Sequence, residues 1–415
     1  MRSRCAVVFV CCFGAWQNLS ADDWPQFLGP ERNGVSSETG LIEELDSSGG
    51  DILWKQPLGV GMSGIAISNG LAVTLYQNDT SQFLTALDAD SGAKKWETVV
   101  APAYENAMGN GPRATPTVAD GTVYAFTGEG ILVTVAMDDG RLLWSVNATK
   151  ELFCKPSEYG MSSSPLVTDG KVIVQVGSHR GTVAAFDCRT GKQQWTAGDG
   201  TAGYSSPMLA ELAGTRQIVA LAGKEVLGIA PADGSVLWAY PFETEYDCNT
   251  ATPVRLSDSR ILISAGENHG SVILDIAKAN DGFSATPTWE SLAKDSVLRA
   301  EWQTPVVLNG HVYALDNMGS AGPITNLVCL RLSDGEQVWS QPRFGKSNLI
   351  LADGKLFLST MRGELVIVRA TPEGFQETGR TIVTGMTRQA PSLANGKLYL
   401  RDDEVVVCVQ VSAKP

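Results

Sequence analysis

Histidine is nearly absent from this chain: His179, His269 and His311 are the only three in 415 residues, and they lie far apart. No H-x-x-H, H-E-x-x-H or His-Asp-Ser pattern appears, which removes the usual histidine-based metal and nucleophile arrangements. Cysteine is sparse and unpatterned: eight residues, none in C-x-x-C spacing, give zinc or thioredoxin-like chemistry no support. Cationic charge is short, with 32 Lys and Arg against 45 Asp and Glu and a formal charge of -13. Nucleic-acid partners require cationic stripes, so they are excluded. No compact cluster of Glu, Asn and Asp offers the six or more oxygens that calcium takes. No carboxylate pair stands out for glycoside cleavage.

Long apolar runs are also missing, apart from one near the start. There Arg2 and Arg4 supply a charged beginning, Cys5 to Trp16 an apolar stretch, and Leu19-Ser20-Ala21 a small-residue cleavage site. Residues 1–21 therefore read as a secretory signal peptide, too short in its apolar part to remain as a membrane span. The mature chain is expected to be exported, periplasmic or extracellular, with no transmembrane segment. Cleavage would discard Cys11-Cys12 and leave Cys154, Cys188, Cys248, Cys329 and Cys408. Cys329 and Cys408 fall in apolar strands and are expected in the core. One disulfide among Cys154, Cys188 and Cys248 is compatible with an oxidising compartment, with no pairing assigned.

What the chain has in quantity is glycine, proline and tryptophan, 43, 19 and 10 residues respectively. They are arranged periodically. A Trp follows a Gly by four residues at Gly92/Trp96, Gly140/Trp144, Gly191/Trp195, Gly234/Trp238 and Gly335/Trp339, and Trp54 and Trp289 fall in phase. Successive intervals from Trp54 to Trp339 are 42, 48, 51, 43, 51 and 50 residues. That is the period of four-stranded propeller blades. Once per blade, such rings pack between neighbours, so these seven tryptophans are expected to be structural.

Eight third strands can be read, F-L-T-A-L-D, I-L-V-T-V-A, T-V-A-A-F-D, E-V-L-G-I-A, S-V-I-L-D-I, N-L-V-C-L-R, E-L-V-I-V-R and E-V-V-V-C-V. Asn-Gly or Asp-Gly turns begin at Asn69, Asp120, Asp169, Asn309, Asp353 and Asn395, the dipeptides that tight hairpins favour. Pro116, Pro165, Pro305 and Pro391 each stand four residues before such a turn. A proline removes a ladder donor, so each first strand is an edge, bordering the channel. Ile52 to Gln56 reads as a fourth strand with no first three before it, while residues 389–411 hold three strands without a fourth. The two ends therefore complete one blade. The expectation is an all-β, eight-bladed β-propeller of four-stranded antiparallel blades, residues 51–415, closed by its N-terminal strand. The alternative has seven blades, if the unit 344–380, which lacks its Trp, does not form one. Residues 22–50 are expected to be an arm lying on the propeller surface, anchored by Trp24, Phe27 and Leu28, followed by a polar linker from 41 to 50.

The unit A-x-D-x-x-T-G-K-x-x-W, complete at Ala185–Trp195 and nearly so at Ala86–Trp96, resembles the repeat of quinoprotein-type (PQQ-like) β-propellers. Trp24 to Gly34 is similar to the W-P-x-F-x-G-P-x-R-x-G start of exported members. The resemblance implies one of two branches. One contains scaffolds without catalysis, including the propeller of outer-membrane β-barrel assembly; the other contains alcohol and sugar dehydrogenases that hold pyrroloquinoline quinone and calcium. The dehydrogenases carry a disulfide between adjacent cysteines and long insertions over the quinone, and neither is found in the mature chain. The scaffold branch is expected: no cofactor, and an envelope protein, a peptide or a small ligand as partner.

The loops approaching each first strand converge on one rim of the channel. They carry Tyr104, Arg113, Lys155, Tyr159, Tyr204, Tyr246, Trp302, Lys346 and Arg388. From this set Tyr104, Arg113, Lys155, Tyr204, Tyr246, Trp302 and Arg388 are the candidate ligand-binding residues. Trp302 is the expected stacking platform and Arg113 the expected carboxylate partner. The competing reading is ordinary loop chemistry, with ion pairs such as Arg299 to Glu301. Gly61-Met62-Ser63-Gly64 lacks the spacing of a nucleophile elbow and reads as a loop.

Overall fold

The computed structural model describes residues 23–45, 51–280, 282–319 and 324–413. The expected signal peptide lies outside them. Eight four-stranded antiparallel sheets form the ring. In chain order the blades span 66–102, 117–147, 166–197, 208–241, 254–292, 306–341 and 347–382, and the eighth joins 392–410 to 51–57. The unit without a Trp is thus a full blade, and the count is eight.

Closure is as the strand count requires. Asp51–Pro57 pairs antiparallel with Val405–Gln410, setting Lys55 opposite Val407 and Pro57 opposite Val405. Arg401 fastens the seam from inside. It is 1% exposed, and its guanidinium donates to the carbonyls of Gly59, Ser63 and Leu75 and to Thr74 Oγ1, all on the first-blade side.

The repeat motif is the joint between blades. Asp187 Oδ1 accepts from the amide and hydroxyl of Thr190, and Asp88 does the same with Ser91, which caps the turn between third and fourth strands. The glycine that follows has positive φ, +68° at Gly191 and +79° at Gly234. It lies under the indole of the preceding blade: Gly92 under Trp54, Gly140 under Trp96, Gly191 under Trp144, Gly234 under Trp195 and Gly335 under Trp289. The indole nitrogens donate forward as well, from Trp54 to Ala89 O, Trp96 to Met137 O, Trp144 to Cys188 O, Trp195 to Pro231 O and Trp339 to Thr371 O. Trp238 is different. The next blade has an elongated hairpin, Gly270–Ala279 with Gly282–Leu292, and Trp238 donates within its own blade to Gln217 Oε1 at 2.6 Å.

Apolar clusters accordingly sit between neighbouring blades, as in the group joining Val219 and Leu221 to Ile261 and Ile263. The prolines stand immediately before the first strands, as at Pro116 before Thr117–Ala119 and Pro165 before Leu166–Thr168. In several blades the Ser or Thr before the proline faces its neighbour across the channel wall: Thr115 N donates to Ser164 Oγ, Ser164 N to Ser206 Oγ, and Thr252 N to Thr304 Oγ1.

The N-terminal arm is ordered, but it does not lie over the outer surface. Trp24 exchanges two backbone hydrogen bonds with Ile67 in the first blade, Pro25 O accepts from Val118 N in the second, and Arg32 donates to Ser164 O and Pro165 O in the third. Gly34 and Ser36 then pair with Leu351 in the seventh blade, and Glu38 takes the amides of Asn395 and Gly396 in the eighth. A segment bonded to inner strands on opposite sides of the ring must cross the channel, and it does so at the end where first strands turn into second. Nor are residues 41–45 a solvated linker. Leu41 is 3% exposed, Ile42 and Leu45 pack on the same core, and Asp353 accepts from Leu41 N.

Cys154, Cys188, Cys248, Cys329 and Cys408 are free thiols, so none of the three candidate disulfides forms. Cys329 and Cys408 are fully buried.

Candidate functional site

At the end opposite the arm's crossing, the approach loops enclose a cavity of about 430 Å³. Its floor is the arm itself, through Trp24, Phe27 and Leu28; its walls include Met62, Met108, Arg113, Tyr159, Tyr204, Tyr246, Cys248, Glu267, Glu301, Trp302, Asn348 and Arg388. Of the seven candidates, Arg113, Tyr204, Tyr246, Trp302 and Arg388 are brought together here. Tyr104 and Lys155 are not on the wall. Tyr104 is a support beneath Arg113, whose guanidinium carbon lies 5.0 Å from its ring, while Lys155 is exposed outside the cavity.

Met62, Met108 and the arm were not recognisable as site residues. The two methionines sit in loops without periodicity, and only the tertiary fold brings the arm under the rim.

Arg113 has a different role from the expected carboxylate partner. Its Nε donates to Tyr159 O at 2.6 Å, Nη2 to Gly109 O at 2.7 Å, and Nη1 to Gly111 O. The side chain is spent on loop carbonyls and acts as a fixed charge. Burial lowers its pKa below the ordinary guanidinium value, and repulsion from Arg388 acts in the same direction while Tyr104 opposes it. Arg388 donates through Nη1 to Met108 O at 2.6 Å and touches Met62 Sδ.

Trp302 stands at φ 64°, a left-handed conformation that is costly for a bulky residue. Lys346 Nζ lies 4.1 Å from its ring centroid and the Arg388 guanidinium carbon 5.4 Å, so the indole already has cationic neighbours. Lys346 also pairs with Glu301 Oε1 at 3.1 Å. Glu301 is 7% exposed, and burial raises its pKa against the opposing effect of Lys346. The expected Arg299–Glu301 pair is absent. Arg299 instead binds Asp316 with both partners buried, the Nη2 to Oδ2 distance being 2.8 Å.

Tyr159 and Tyr204 lean together with centroids 5.7 Å apart, and Tyr204 Oη accepts from Tyr159 N. Burial pushes the Cys248 thiol up to about 11, which leaves it protonated and a poor nucleophile near neutral pH.

The carboxylates of the wall are Glu267 and Glu301, and the second is committed to Lys346. This donor set does not fit a calcium-held quinone, since calcium takes six or more oxygens. Among the described residues no three His, Cys, Asp or Glu side chains converge as a metal-binding group.

The arrangement defines an eight-bladed propeller with one end of its channel covered by its own N-terminal arm and the other open as an aromatic, partly cationic cavity. The chain belongs to the family described as outer membrane protein assembly factor BamB, whose profile matches residues 31–152 and 116–341. The outer membrane protein assembly factor BamB of Moranella endobia (strain PCIT) is 24% identical over 345 residues, 81% of this chain and 61% of that protein. The chain thus spans about three fifths of that relative's length. Among solved structures, the quinohemoprotein alcohol dehydrogenase of Comamonas testosteroni superposes with a TM-score of 0.69 at 14% identity, covering 95% of this chain and 81% of that one. BamB from Moraxella catarrhalis gives a TM-score of 0.59 at 16% identity, covering 86% of this chain and 100% of that one. At such identities the structural likeness is one of fold.

Proposed function

We propose that this chain is a non-catalytic scaffold, exported from the cytoplasm, that holds a protein or peptide partner at the open mouth of its propeller during assembly of the cell envelope or outer membrane. The observation that carries the reading is the convergence of loops from successive blades on one cavity with an apolar floor and aromatic walls. Membership of the assembly-factor family supports it. The wall chemistry supports it too, because Arg113, Glu301 and Lys346 are committed to structural contacts and Cys248 is held as a thiol.

The test is a pull-down from the envelope fraction with wild type and a Trp302→Ala, Lys346→Ala double variant. A partner captured by the first and lost by the second, at unchanged melting temperature, supports the reading; capture unaffected by the double variant removes the mouth as the binding site. Dye-linked oxidation of an alcohol or sugar on adding pyrroloquinoline quinone and calcium would instead establish the oxidoreductase alternative. N-terminal sequencing of secreted protein tests export, with Asp22 expected as the first residue.

A further inference from the structure

Two guanidinium groups face the cavity from the second and eighth blades, and neither Arg113 nor Arg388 has an ion-pair partner among the described residues. Cations such as Lys224, Arg216 and Lys95 pair with carboxylates on the surface, whereas these two guanidinium groups meet at a cavity wall without one. Arg113 cannot turn toward a ligand, because Nε, Nη1 and Nη2 are held by three loop carbonyls. It contributes standing positive potential. Arg388 is held only through Nη1, so its Nε and Nη2 have no acceptor among the described residues. Those two donors form the edge that a carboxylate bridges with two parallel hydrogen bonds.

The surroundings of this edge are apolar: Met62 and Met108 beside it, Trp302 within 5.4 Å, and Phe27 and Leu28 below. The negative groups of the cavity, Glu267 and Glu301, come from the fifth blade and the loop entering the sixth. A guest carrying one negative charge is therefore oriented, with its anion toward Arg388 and its apolar part over the methionines and the floor. The arm covers the base, so a polypeptide reaches this position with a chain end more readily than with its middle.

Resting on the scaffold reading, we propose that the cavity recognises the terminal carboxylate of a peptide partner whose last side chain is apolar or aromatic, with Arg388 as the carboxylate ligand. Capture of a chain-end carboxylate is an established mode of peptide recognition in general, and here the donors, the apolar seat and the covered base occur together.

The test uses three peptides: Ac-Ala-Ala-Phe with a free carboxylate, the same peptide as its amide, and Ac-Ala-Glu-Phe amide. Binding is read from the methyl resonances of Met62 and Met108. The free acid is expected to shift both methyls and to bind at least about tenfold more tightly than either amide, as loss of a charge-assisted pair implies. Arg388→Gln should remove that preference at unchanged melting temperature, and Arg388→Lys should restore part of it. Equal binding of acid and amide, equal binding of the side-chain acid, or no shift with any peptide at millimolar concentration overturns the proposal. An envelope partner whose mouth-dependent capture survives Arg388→Gln and amidation of its C-terminus overturns this inference alone and leaves the scaffold reading standing.

Discussion

Gly234 lies against the indole of Trp195, one blade earlier in the chain: a Cβ added at Gly234 would stand 2.7 Å from the ring, at a φ of +79°. Two penalties therefore coincide. Forcing a side chain into a packed contact costs roughly 1–3 kcal/mol, and the left-handed backbone adds about 1–2 kcal/mol. Gly70 shares the positive φ, +74°, but has nothing within 4 Å of the added Cβ. Gly234→Ala is expected to lower the unfolding free energy by both amounts and Gly70→Ala by the backbone amount alone. Denaturant titration of the two variants separates them, and equal losses would mean that the contact contributes nothing.

Trp195 itself is 7% exposed and donates to Pro231 O. Trp195→Ala should cost roughly 3–5 kcal/mol through lost burial and a cavity. Cooperative thermal unfolding should move down in temperature. An unchanged melting temperature together with lost partner binding would make the ring a recognition residue instead.

Two N-terminal deletions should behave differently. Removing residues 22–40 takes away Trp24, Arg32 and the floor of the cavity but leaves Asp51–Pro57 paired with Val405–Gln410. That protein is expected to remain monodisperse with a cooperative melt at lower temperature, and to lose ligand binding at the mouth. Removing residues 22–56 strips the partner from the strand containing Val405, Val407 and Val409, exposing an apolar edge. Size-exclusion chromatography should show aggregation of the longer deletion; a soluble, equally stable product would contradict the closure.

The turn-capping aspartates link stability to acid. The Thr190 hydroxyl, joined by backbone amides and opposed by burial, holds the Asp187 carboxyl below its ordinary 3.8; Lys95 and Ser91 do the same for Asp88. A folded pKa below the unfolded one gives stability that is present above the unfolded value and lost as pH falls through the folded value. Asp187→Asn keeps an acceptor at the turn but removes the titration. Its melting temperature should fall less steeply than that of wild type between about pH 5 and pH 2, and parallel curves would remove Asp187 from the acid response.

The ring was readable from sequence because each blade repeats local chemistry. Asn69-Gly70 and its counterparts need positive φ, Asp187 caps its own turn, and the Gly-to-Trp spacing is fixed by one hairpin. Even the closure follows from counting strands. The arm was not readable, since its Pro and Gly residues specify no regular structure and its bonds run to Val118, Pro165 and Leu351, far along the chain. The site was half readable. Position in an approach loop identified Trp302, Tyr204 and Arg388, but loop position alone does not distinguish Arg113, locked onto carbonyls, from Arg388, whose Nε and Nη2 meet no acceptor among the described residues. Lys155 occupies an equivalent stretch of sequence yet stays outside the cavity, because the direction of a side chain depends on neighbours the local sequence does not contain.

The arm that crosses the base makes the propeller a cup rather than a tube. A guest must leave by the opening through which it came, so nothing is threaded through, and an extended chain can lodge only its tip while the remainder stays in reach of other proteins. Release then requires no unwinding of the ring, only withdrawal of the tip. On the scaffold reading proposed above, such a vessel grips one end of a partner and leaves the rest of it accessible.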